Sequence, residues 1–450
     1  MLAPADLPAK IELHRRSILA AVLLFAFSLR IYSILSLHVL PTADALTFHR
    51  IAVSLVSGNG FSLDGIPTAF RPPGFPLLLA GVYAVTHNNL VVAQIVQAFL
   101  ETVQCGLLYL IARAVFSVPA GLVAAIFWAA YPTSVLQSSL LMGEPLFNCL
   151  LLSMLLVTIT RNPSDVKTSI FVGLLLGLAS LIKPFMAVFG LVIGTWAAWN
   201  LASARQGLRV ALIISFVTAC VLAPWIIRNY VIFHEPLLAT HGGVNLWIGN
   251  NAHATGGYSV DQRRNPVAGV KNEIERDSVA GAAAWGYIRS HPGRFLLLVP
   301  RKIAFLFSSE SQLFIHLFEQ PRAPATRYAR LFVETPWFVH AAVNLHYVFF
   351  VSVGLLGIVF FPAERKKELR LFLLLAGFWL LIHIVFFGTQ RFRYPLMPLF
   401  VLSSAYVAVH AQNVRLKGGG WKTFAYCVLL AGFFSILAAE VITAVLASNS

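Results

Sequence analysis

Long apolar runs alternate with short polar connections along almost the whole chain. A helix needs about 20 apolar residues to cross roughly 30 Å of hydrocarbon, because each residue adds about 1.5 Å. On that criterion the pattern predicts about eleven membrane-spanning helices in a single membrane domain, residues 1–450. The predicted spans are 17–40, 90–112, 115–131, 145–160, 168–182, 185–203, 208–227, 336–361, 370–388, 395–411 and 423–446.

Two further apolar stretches do not meet that criterion. Residues 73–86 are too short to cross the membrane and open with prolines, so we expect them to lie along the interface. Residues 294–307 are broken by Pro300 and carry two cations, so we expect an interfacial or re-entrant segment. The sequence therefore predicts an all-α polytopic fold with juxtamembrane helices and loops on one face.

Positive charges mark the other face of this predicted domain. They all fall on one side if the amino terminus is cytoplasmic, as the excess of Lys and Arg in cytoplasmic loops requires. The outer face then collects the first outer loop, 41–89, and a long outer region, 228–335. The charges that set this orientation include Lys10, Arg15, Arg16, Arg113, Arg161, Lys167, Arg205, Arg209, Arg365, Lys366, Lys367, Arg370 and Lys422.

The composition is that of an integral membrane protein. Hydrophobic residues make up 58% of the chain and charged residues 11%, and the mean hydropathy is +0.77. The formal net charge of +15 is spread over short loops, which gives no reason to expect a nucleic-acid partner. The four cysteines lie singly in apolar segments, and His234, His241 and His253 lack the spacing of a ligand set. The sequence thus predicts neither a metal nor a cofactor.

An acidic side chain lies about one turn beyond the first predicted span. Asp44, in PTADALTFHRIA, has two interpretations. It either caps a short helix that begins at Ala45 or serves as a functional acid, since a charge at the end of a span is costly unless it is solvated, paired or used.

The same loop holds an arginine at a defined place. Pro72 and Pro73 follow Arg71 and push it into an extended conformation, so the position of its guanidinium is restricted. A fixed guanidinium at the membrane interface suits a phosphate group, either of a substrate or of a lipid headgroup.

These motifs resemble a known family. The chain resembles the first outer loop of the GT-C glycosyltransferases that use polyprenyl-phosphate sugars, in the segments DALTFHRIA, GNGFS and PTAFRPPGFPLLLA. That group contains the protein O-mannosyltransferases and lipid A aminoarabinose transferase. The resemblance continues in order through YPTSVLQSSLLMGEPLF, LASLIKP, APWIIRNYVIFHEP, GGVNLWIGNNAHATGGY and TQRFRYPLMP. These segments contribute the candidate site residues Glu144, Lys183, Arg228, Asn229, Asn250, Arg391, Arg393 and Tyr394.

The resemblance implies an enzyme of the bacterial inner membrane with its active site on the periplasmic side. Its partners would be membrane lipids, a polyprenyl-phosphate sugar donor and a lipid, glycan or protein acceptor. Asp44 would be the catalytic base, and Glu144 is the candidate for a second acid because Ala45 stands where the family often has one. A single displacement would invert the anomeric carbon.

Fixed cations would stabilise the phosphate leaving group without reorganising. We expect about two of five candidate cations to touch it. These cations are Arg71, Lys183, Arg228, Arg391 and Arg393.

The run GGVNLWIGNN combines Trp247 with amides such as Asn250. An aromatic face beside amides suits sugar recognition, although ordinary turn chemistry explains the glycines and asparagines equally well.

Two other functions remain open from the sequence. A transporter or flippase for a lipid-linked solute would need polar residues near the midplane and often two related halves, which this chain does not show. A lipid-linked glycan ligase or polymerase would share the donor and the outer active site.

Overall fold

The computed structural model describes residues 6–259, 265–311, 334–414 and 420–448. Apart from one small hairpin, the regular secondary structure of these residues is helical. The α-helices are α1 (Asp6–Leu37), α2 (Ala43–Val56), α3 (Gly74–Thr86), α4 (Leu90–Val115), α5 (Val118–Ala129), α6 (Pro132–Gln137), α7 (Glu144–Thr160), α8 (Val166–Ser180), α9 (Phe189–Leu201), α10 (Ala204–Phe233), α11 (Gly242–Gly249), α12 (Glu273–Ser290), α13 (Pro292–Leu306), α14 (Trp337–Val359), α15 (Lys366–Val385), α16 (Gln390–Arg393), α17 (Met397–Val409) and α18 (Trp421–Ser448). Strands β1 (Ser62–Leu63) and β2 (Ile66–Pro67) pair antiparallel, and 3-10 turns occupy Pro184–Val188, Ala363–Arg365, Tyr394–Leu396 and Ala411–Asn413.

Eight helices in the described part of the chain are long and apolar enough to cross a membrane. The prediction of an all-α polytopic membrane protein is therefore confirmed. They are Leu13–Leu37, Leu90–Val115, Pro184–Leu201, Ala204–Phe233, Trp337–Val359, Ala363–Val385, Gln390–Val409 and Trp421–Leu446.

The predicted number of eleven spans is not confirmed. The predicted spans 115–131, 145–160 and 168–182 correspond to α5, α7 and α8, which are shorter apolar helices. Even α7, with 17 residues, rises only about 26 Å. Length alone therefore does not qualify these three helices as spans.

Helix α4 is central to the first half of the bundle, where it packs against α1, α5 and α7. Its fully buried Glu101 accepts hydrogen bonds from Ser134 at 3.1 Å and from the Tyr394 hydroxyl at 2.7 Å. The buried Arg30 of α1 donates to Ser134 and to the carbonyl oxygen of Ala129. This network satisfies buried polar groups and fixes α1 and the Tyr394 turn against α4.

Loop 41–89 folds into α2, the β1–β2 hairpin and α3. Phe48 of α2 meets Phe75 of α3 edge to face, with ring centroids 5.2 Å apart. Leu79 and Tyr83 of α3 are buried in the same apolar cluster. The two helices therefore form a small packed unit that carries Asp44 at its start and Arg71 just before α3.

Helix α12, in region 228–335, is hydrogen-bonded to this unit. The two carboxylate oxygens of Glu273 accept from Thr68 Oγ1 and from the Ala69 backbone N–H, each at 2.6 Å. One turn later, Asp277 accepts from the Val244 N–H at 3.0 Å and so holds α11. One face of α12 thus fixes the chain immediately before Arg71.

The expectation that Pro300 breaks the segment 294–307 is wrong. Pro300 does not break this segment, because α13 runs continuously from Pro292 to Leu306 with the proline inside it. Residues 260–264 and 312–333 of region 228–335 lie outside the described part of the chain.

Candidate functional site

Five side chains form a continuous set of ion pairs at one end of the helix bundle. Asp44 pairs with Arg71 through Oδ1 and with Arg391 Nη1 through Oδ2, the latter at 2.6 Å. Arg391 Nε lies 2.9 Å from Glu144 Oε1, and Lys183 Nζ lies 3.4 Å from the same oxygen. These five residues, called the Asp44 network below, combine three cations with two carboxylates and so carry a formal charge of +1.

The solvent exposure of the side chains decreases across the network, from Asp44 and Arg391 to Glu144. The side chains of Asp44 and Arg391 are 32% and 34% exposed, whereas that of Glu144 is 2% exposed. Asp44 is therefore the carboxylate that an incoming hydroxyl could reach. Glu144 instead lies beneath Arg391, where it fixes the guanidinium.

Both acids lie in the first turn of a helix, where the helix dipole favours negative charge. Glu144 is the first residue of α7. Asp44 is the second residue of α2, whose N-cap is Thr42. The interpretation of Asp44 as the cap of a helix that begins at Ala45 is wrong, because its oxygens bind two guanidiniums instead.

The two guanidiniums determine the protonation state of Asp44. Burial would raise the pKa of Asp44, but the charges of Arg391 and Arg71 outweigh burial and lower this pKa to about 2. Asp44 is therefore ionised at neutral pH, and it is a weak proton acceptor while both guanidiniums remain bound to it.

Arg71 is held between aromatic rings. Its guanidinium carbon lies 4.6 Å from the centroid of Phe70 and 5.4 Å from that of Phe48. Three residues later, the Gly74 N–H donates to the Leu181 carbonyl at 2.8 Å, and a side chain at 74 would meet that oxygen. This close approach brings the Arg71 segment against the end of α8. Within the described residues, Arg71 Nε is buried and has no hydrogen-bond partner.

Lys183 is the third cation of the network. It lies immediately before the 3-10 turn Pro184–Val188, at the end of the bundle where α8 stops. Its Nζ is 5.7 Å from the Phe147 ring and 6.0 Å from the Phe392 ring. The ammonium therefore contacts Glu144 directly, with the two aromatic rings beside it.

Arg228 and Asn229 were predicted for the same site but are engaged elsewhere. Arg228 donates to the carbonyl oxygens of Phe61 and Thr68 at 2.8 and 2.9 Å, and to Asn229 Oδ1. Asn229 is fully buried and donates to the Leu237 carbonyl at 2.8 Å. In this structure the pair holds loop 41–89 in place.

Asn250 is likewise bound within the protein. Its amide donates to the carbonyls of Leu246 and Val385, both at 2.8 Å, while its oxygen accepts from Lys302 Nζ at 2.8 Å. Asn250 therefore ties α11 to the end of α15 and to α13.

Arg393 and Tyr394 flank the network rather than joining it. Arg393 is fully buried, pairs with Glu310 at 2.6 Å and donates to the Ser308 carbonyl at 2.6 Å. Tyr394 donates to Glu101. These two buried anchors fix the short helix from which Arg391 projects.

Two residues that bear on the site were not among the predictions. Glu273 positions the chain before Arg71 through Ala69, and nothing in the sequence marks a helix-start acid 204 positions away as the partner of Ala69. His241 pairs its ring with Phe70. Burial lowers the pKa of His241 to about 4, and the charge of Arg71 adds to this effect, so the imidazole is neutral at pH 7.

The GGVNLWIGNN run contributes to a separate cavity of about 300 Å³ between α11 and α12. Trp247 and Tyr287 supply its aromatic side chains, and Asn251 supplies an amide. Among the residues that the structure describes, no three His, Cys, Asp or Glu side chains come together as ligands for a metal ion.

One family model matches part of the chain. Residues 70–227 match the family described as dolichyl-phosphate-mannose-protein mannosyltransferase. The matched region contains Arg71, Glu144 and Lys183 of the Asp44 network. No curated protein sequence matches the chain significantly.

Solved structures match most of the chain. A crystal structure of the Archaeoglobus fulgidus oligosaccharyltransferase in complex with zinc and sulfate superposes with a TM-score of 0.50 at 16% identity, covering 96% of this chain and 53% of that one. The same enzyme tethered to an acceptor peptide with the NVT sequon gives 0.50 at 15% identity, covering 96% and 55%. This chain thus spans about half the length of the structures that it matches.

The family model and the fold comparison each agree with the resemblance that the sequence motifs show. At 15–16% identity the structural match shows the fold alone, and the family model covers about a third of the chain. The predicted resemblance to GT-C membrane glycosyltransferases is confirmed at these two levels.

Proposed function

We propose that this chain is a glycosyltransferase that moves a sugar from a polyprenyl-phosphate donor to a hydroxyl group of an acceptor. The observation that carries the proposal is the Asp44 network, in which a solvent-reachable carboxylate lies between two guanidiniums and the whole set has a formal charge of +1. The buried Nε of Arg71, unpartnered among the described residues, is a further donor for an anionic group.

The chemistry needs one base and one set of cations. Asp44 takes the proton of the acceptor hydroxyl as its oxygen forms a bond to the anomeric carbon. The bond between that carbon and the phosphate oxygen breaks, and its electron pair leaves on polyprenyl phosphate. Arg71 and Arg391 stabilise the charge that grows on this phosphate. One displacement by one base inverts the anomeric configuration.

Donor binding also prepares the base. A phosphate that binds Arg71 and Arg391 competes with Asp44 for the same guanidiniums. Its negative charge opposes their effect on Asp44, so the pKa of Asp44 rises from its low value in the free protein. The carboxylate thus becomes a better proton acceptor when the donor is in place.

We infer that the reaction occurs on the side of the membrane that the Asp44 network faces. Asp44, Glu144, Lys183 and Arg391 all lie at helix ends that face the same end of the bundle. With the amino terminus cytoplasmic, this end is periplasmic in a bacterial inner membrane. The donor tail would remain in the bilayer while its sugar reaches the network.

A protein is the favoured acceptor among the three classes. The matching family is described by its protein mannosyltransferase activity, and one matched oligosaccharyltransferase carries an acceptor peptide. Lipid and glycan acceptors are the other outcomes of the test.

The test combines cells with purified protein. Mass spectrometry of envelope glycoproteins and glycolipids, with and without the gene, should reveal a product that lacks one sugar. The purified protein should release polyprenyl phosphate when it receives synthetic polyprenyl-phosphate mannose as the first donor and the product that lacks one sugar as the acceptor. An unchanged envelope together with no release from a panel of polyprenyl-phosphate sugars would contradict the proposal.

A further inference from the structure

A larger cavity, of about 510 Å³, lies at the opposite end of the bundle from the Asp44 network. Helix α4 connects the two ends. Near its start, Gln97 donates to the carbonyls of Leu140 and Met142, next to Glu144, whereas its last residue, Val115, lines the cavity. The 26 residues of α4 rise about 39 Å, close to the full thickness of a bilayer.

The cavity wall combines charge with aromatic surface. Lys422 and Arg365 bring positive charge, and Glu364 brings negative charge. Arg365 Nη1 also lies 3.6 Å from Glu368 Oε1, so a bound phosphate would share this partly exposed guanidinium with Glu368. Lys422 Nζ lies 5.4 Å from the centroid of Phe360, which holds the ammonium against the wall. The rest of the lining includes Phe116, Phe361, Tyr406, His410 and Asn413.

The cavity lies at the level of a membrane interface. Trp421 and Phe424, on the first turn of α18, are 74% and 71% exposed. A tryptophan at the end of an apolar helix marks the headgroup level of the bilayer. Lys422 lies between these two residues in the chain and lines the cavity, so the cavity is within reach of lipid headgroups.

The charges of the cavity match a headgroup with both signs. A phosphodiester would meet Arg365 and Lys422, and a primary ammonium would meet Glu364. Basic pockets between membrane helices bind lipid headgroups in this manner. We propose that the cavity binds an aminophospholipid from the leaflet opposite the Asp44 network, with its phosphate on Arg365 and Lys422 and its amine on Glu364.

The test is native mass spectrometry of purified, delipidated protein titrated with phosphatidylethanolamine. Loss of a charged contact to phosphate in Lys422→Gln should weaken binding about tenfold. Lys366→Gln is the matched control. It removes the same charge from the residue next to Arg365, and Lys366 does not line the cavity. Weakening in Lys422→Gln alone supports the site. Equal weakening in both variants, or in neither, overturns it.

Two further binding experiments identify the ligand. Glycerophosphoethanolamine, which carries the headgroup without acyl chains, should bind much more weakly than the lipid; equal binding would make this a site for a soluble phosphate and overturn the lipid assignment. Glu364→Gln should lose the preference for phosphatidylethanolamine over phosphatidylglycerol, which has no amine. A preference that survives this change overturns the role given to Glu364. Unchanged thermal unfolding of each variant confirms that the comparison concerns binding.

Discussion

Arg391 Nη1 donates to Asp44 Oδ2 at 2.6 Å, although the two residues are 347 positions apart in the chain. The Nε of the same guanidinium donates to Glu144 at 2.9 Å. One arginine therefore joins the start of α2, the start of α7 and α16. The site is complete only when helices from both ends of the sequence have packed together.

Asp44→Asn keeps the shape of the side chain but removes its capacity to accept a proton. We expect turnover of the polyprenyl-phosphate donor to fall by about 10²–10⁴-fold, the usual contribution of a general base. Asp64→Asn is the matched control, because Asp64 lies in the same loop and its side chain, 56% exposed, pairs only with Arg50 among the described residues. Release of polyprenyl phosphate is the measurement. Near-normal turnover in Asp44→Asn would remove Asp44 from the mechanism and make Glu144 the next base to test.

The pH dependence of the reaction should differ between the free and the donor-bound protein. In the free protein the pKa of Asp44 is about 2, so kcat/KM should show no loss from Asp44 protonation above about pH 4. In the donor complex the phosphate opposes the two guanidiniums, so the acid limb of kcat should lie at higher pH. Steady-state rates between pH 4 and 8 provide both profiles. Coincident acid limbs would contradict the competition between phosphate and Asp44.

Arg71→Ala should raise the KM for the donor, and Arg71→Lys should retain part of the affinity. A guanidinium offers two parallel hydrogen bonds to phosphate, which an ammonium reproduces only in part. Arg50→Ala is the control, since Arg50 lies in the same unit but pairs with the exposed Asp64. If Arg71→Ala handles donor like the wild-type protein, Arg71 serves only as a headgroup anchor.

The sequence TQRFRYP does not show which of its two arginines joins the Asp44 network. Arg391 and Arg393 are two residues apart on one short helix, so their side chains project about 200° from each other. The motif predicts that an arginine reaches the site, but the rotation of α16 depends on the buried partners Glu310 and Glu101, which are distant in the chain. Only the folded structure can therefore show that Arg391 reaches Asp44 while Arg393 does not.

The predicted count of eleven spans is not confirmed, and for the run 115–131 the reason is local. Hydropathy extends over 115–131, but Ser117 accepts from the Ala120 N–H and so starts α5, while Pro132 starts α6. These two helix starts limit α5 to the 12 residues Val118–Ala129. Hydropathy thus predicted the class of fold and the order of its helices, whereas helix length depended on capping.

The orientation of the bundle is a further prediction. With the amino terminus cytoplasmic, a single cysteine at position 255 should react with an impermeant thiol reagent in intact cells, and one at position 165 should not. A variant without the four native cysteines is the starting protein for both. Labelling at 165 but not at 255 would reverse the topology and place the Asp44 network on the cytoplasmic side.

Arg393 and Arg391 should separate stability from activity. Arg393→Met removes one partner of a fully buried ion pair and leaves Glu310 with an uncompensated charge, a change that costs about 3–5 kcal/mol in proteins. Arg391→Met leaves the buried Glu144 with Lys183 as its remaining ion-pair partner, so it should lower the unfolding temperature less than Arg393→Met does, while donor turnover is lost. Arg393→Met/Glu310→Gln should recover part of the lost stability, because no unpaired buried charge then remains. Thermal unfolding in detergent and release of polyprenyl phosphate, measured on the same samples, distinguish the two roles. A stable Arg393→Met protein with a raised KM for donor would instead place Arg393 in contact with the phosphate.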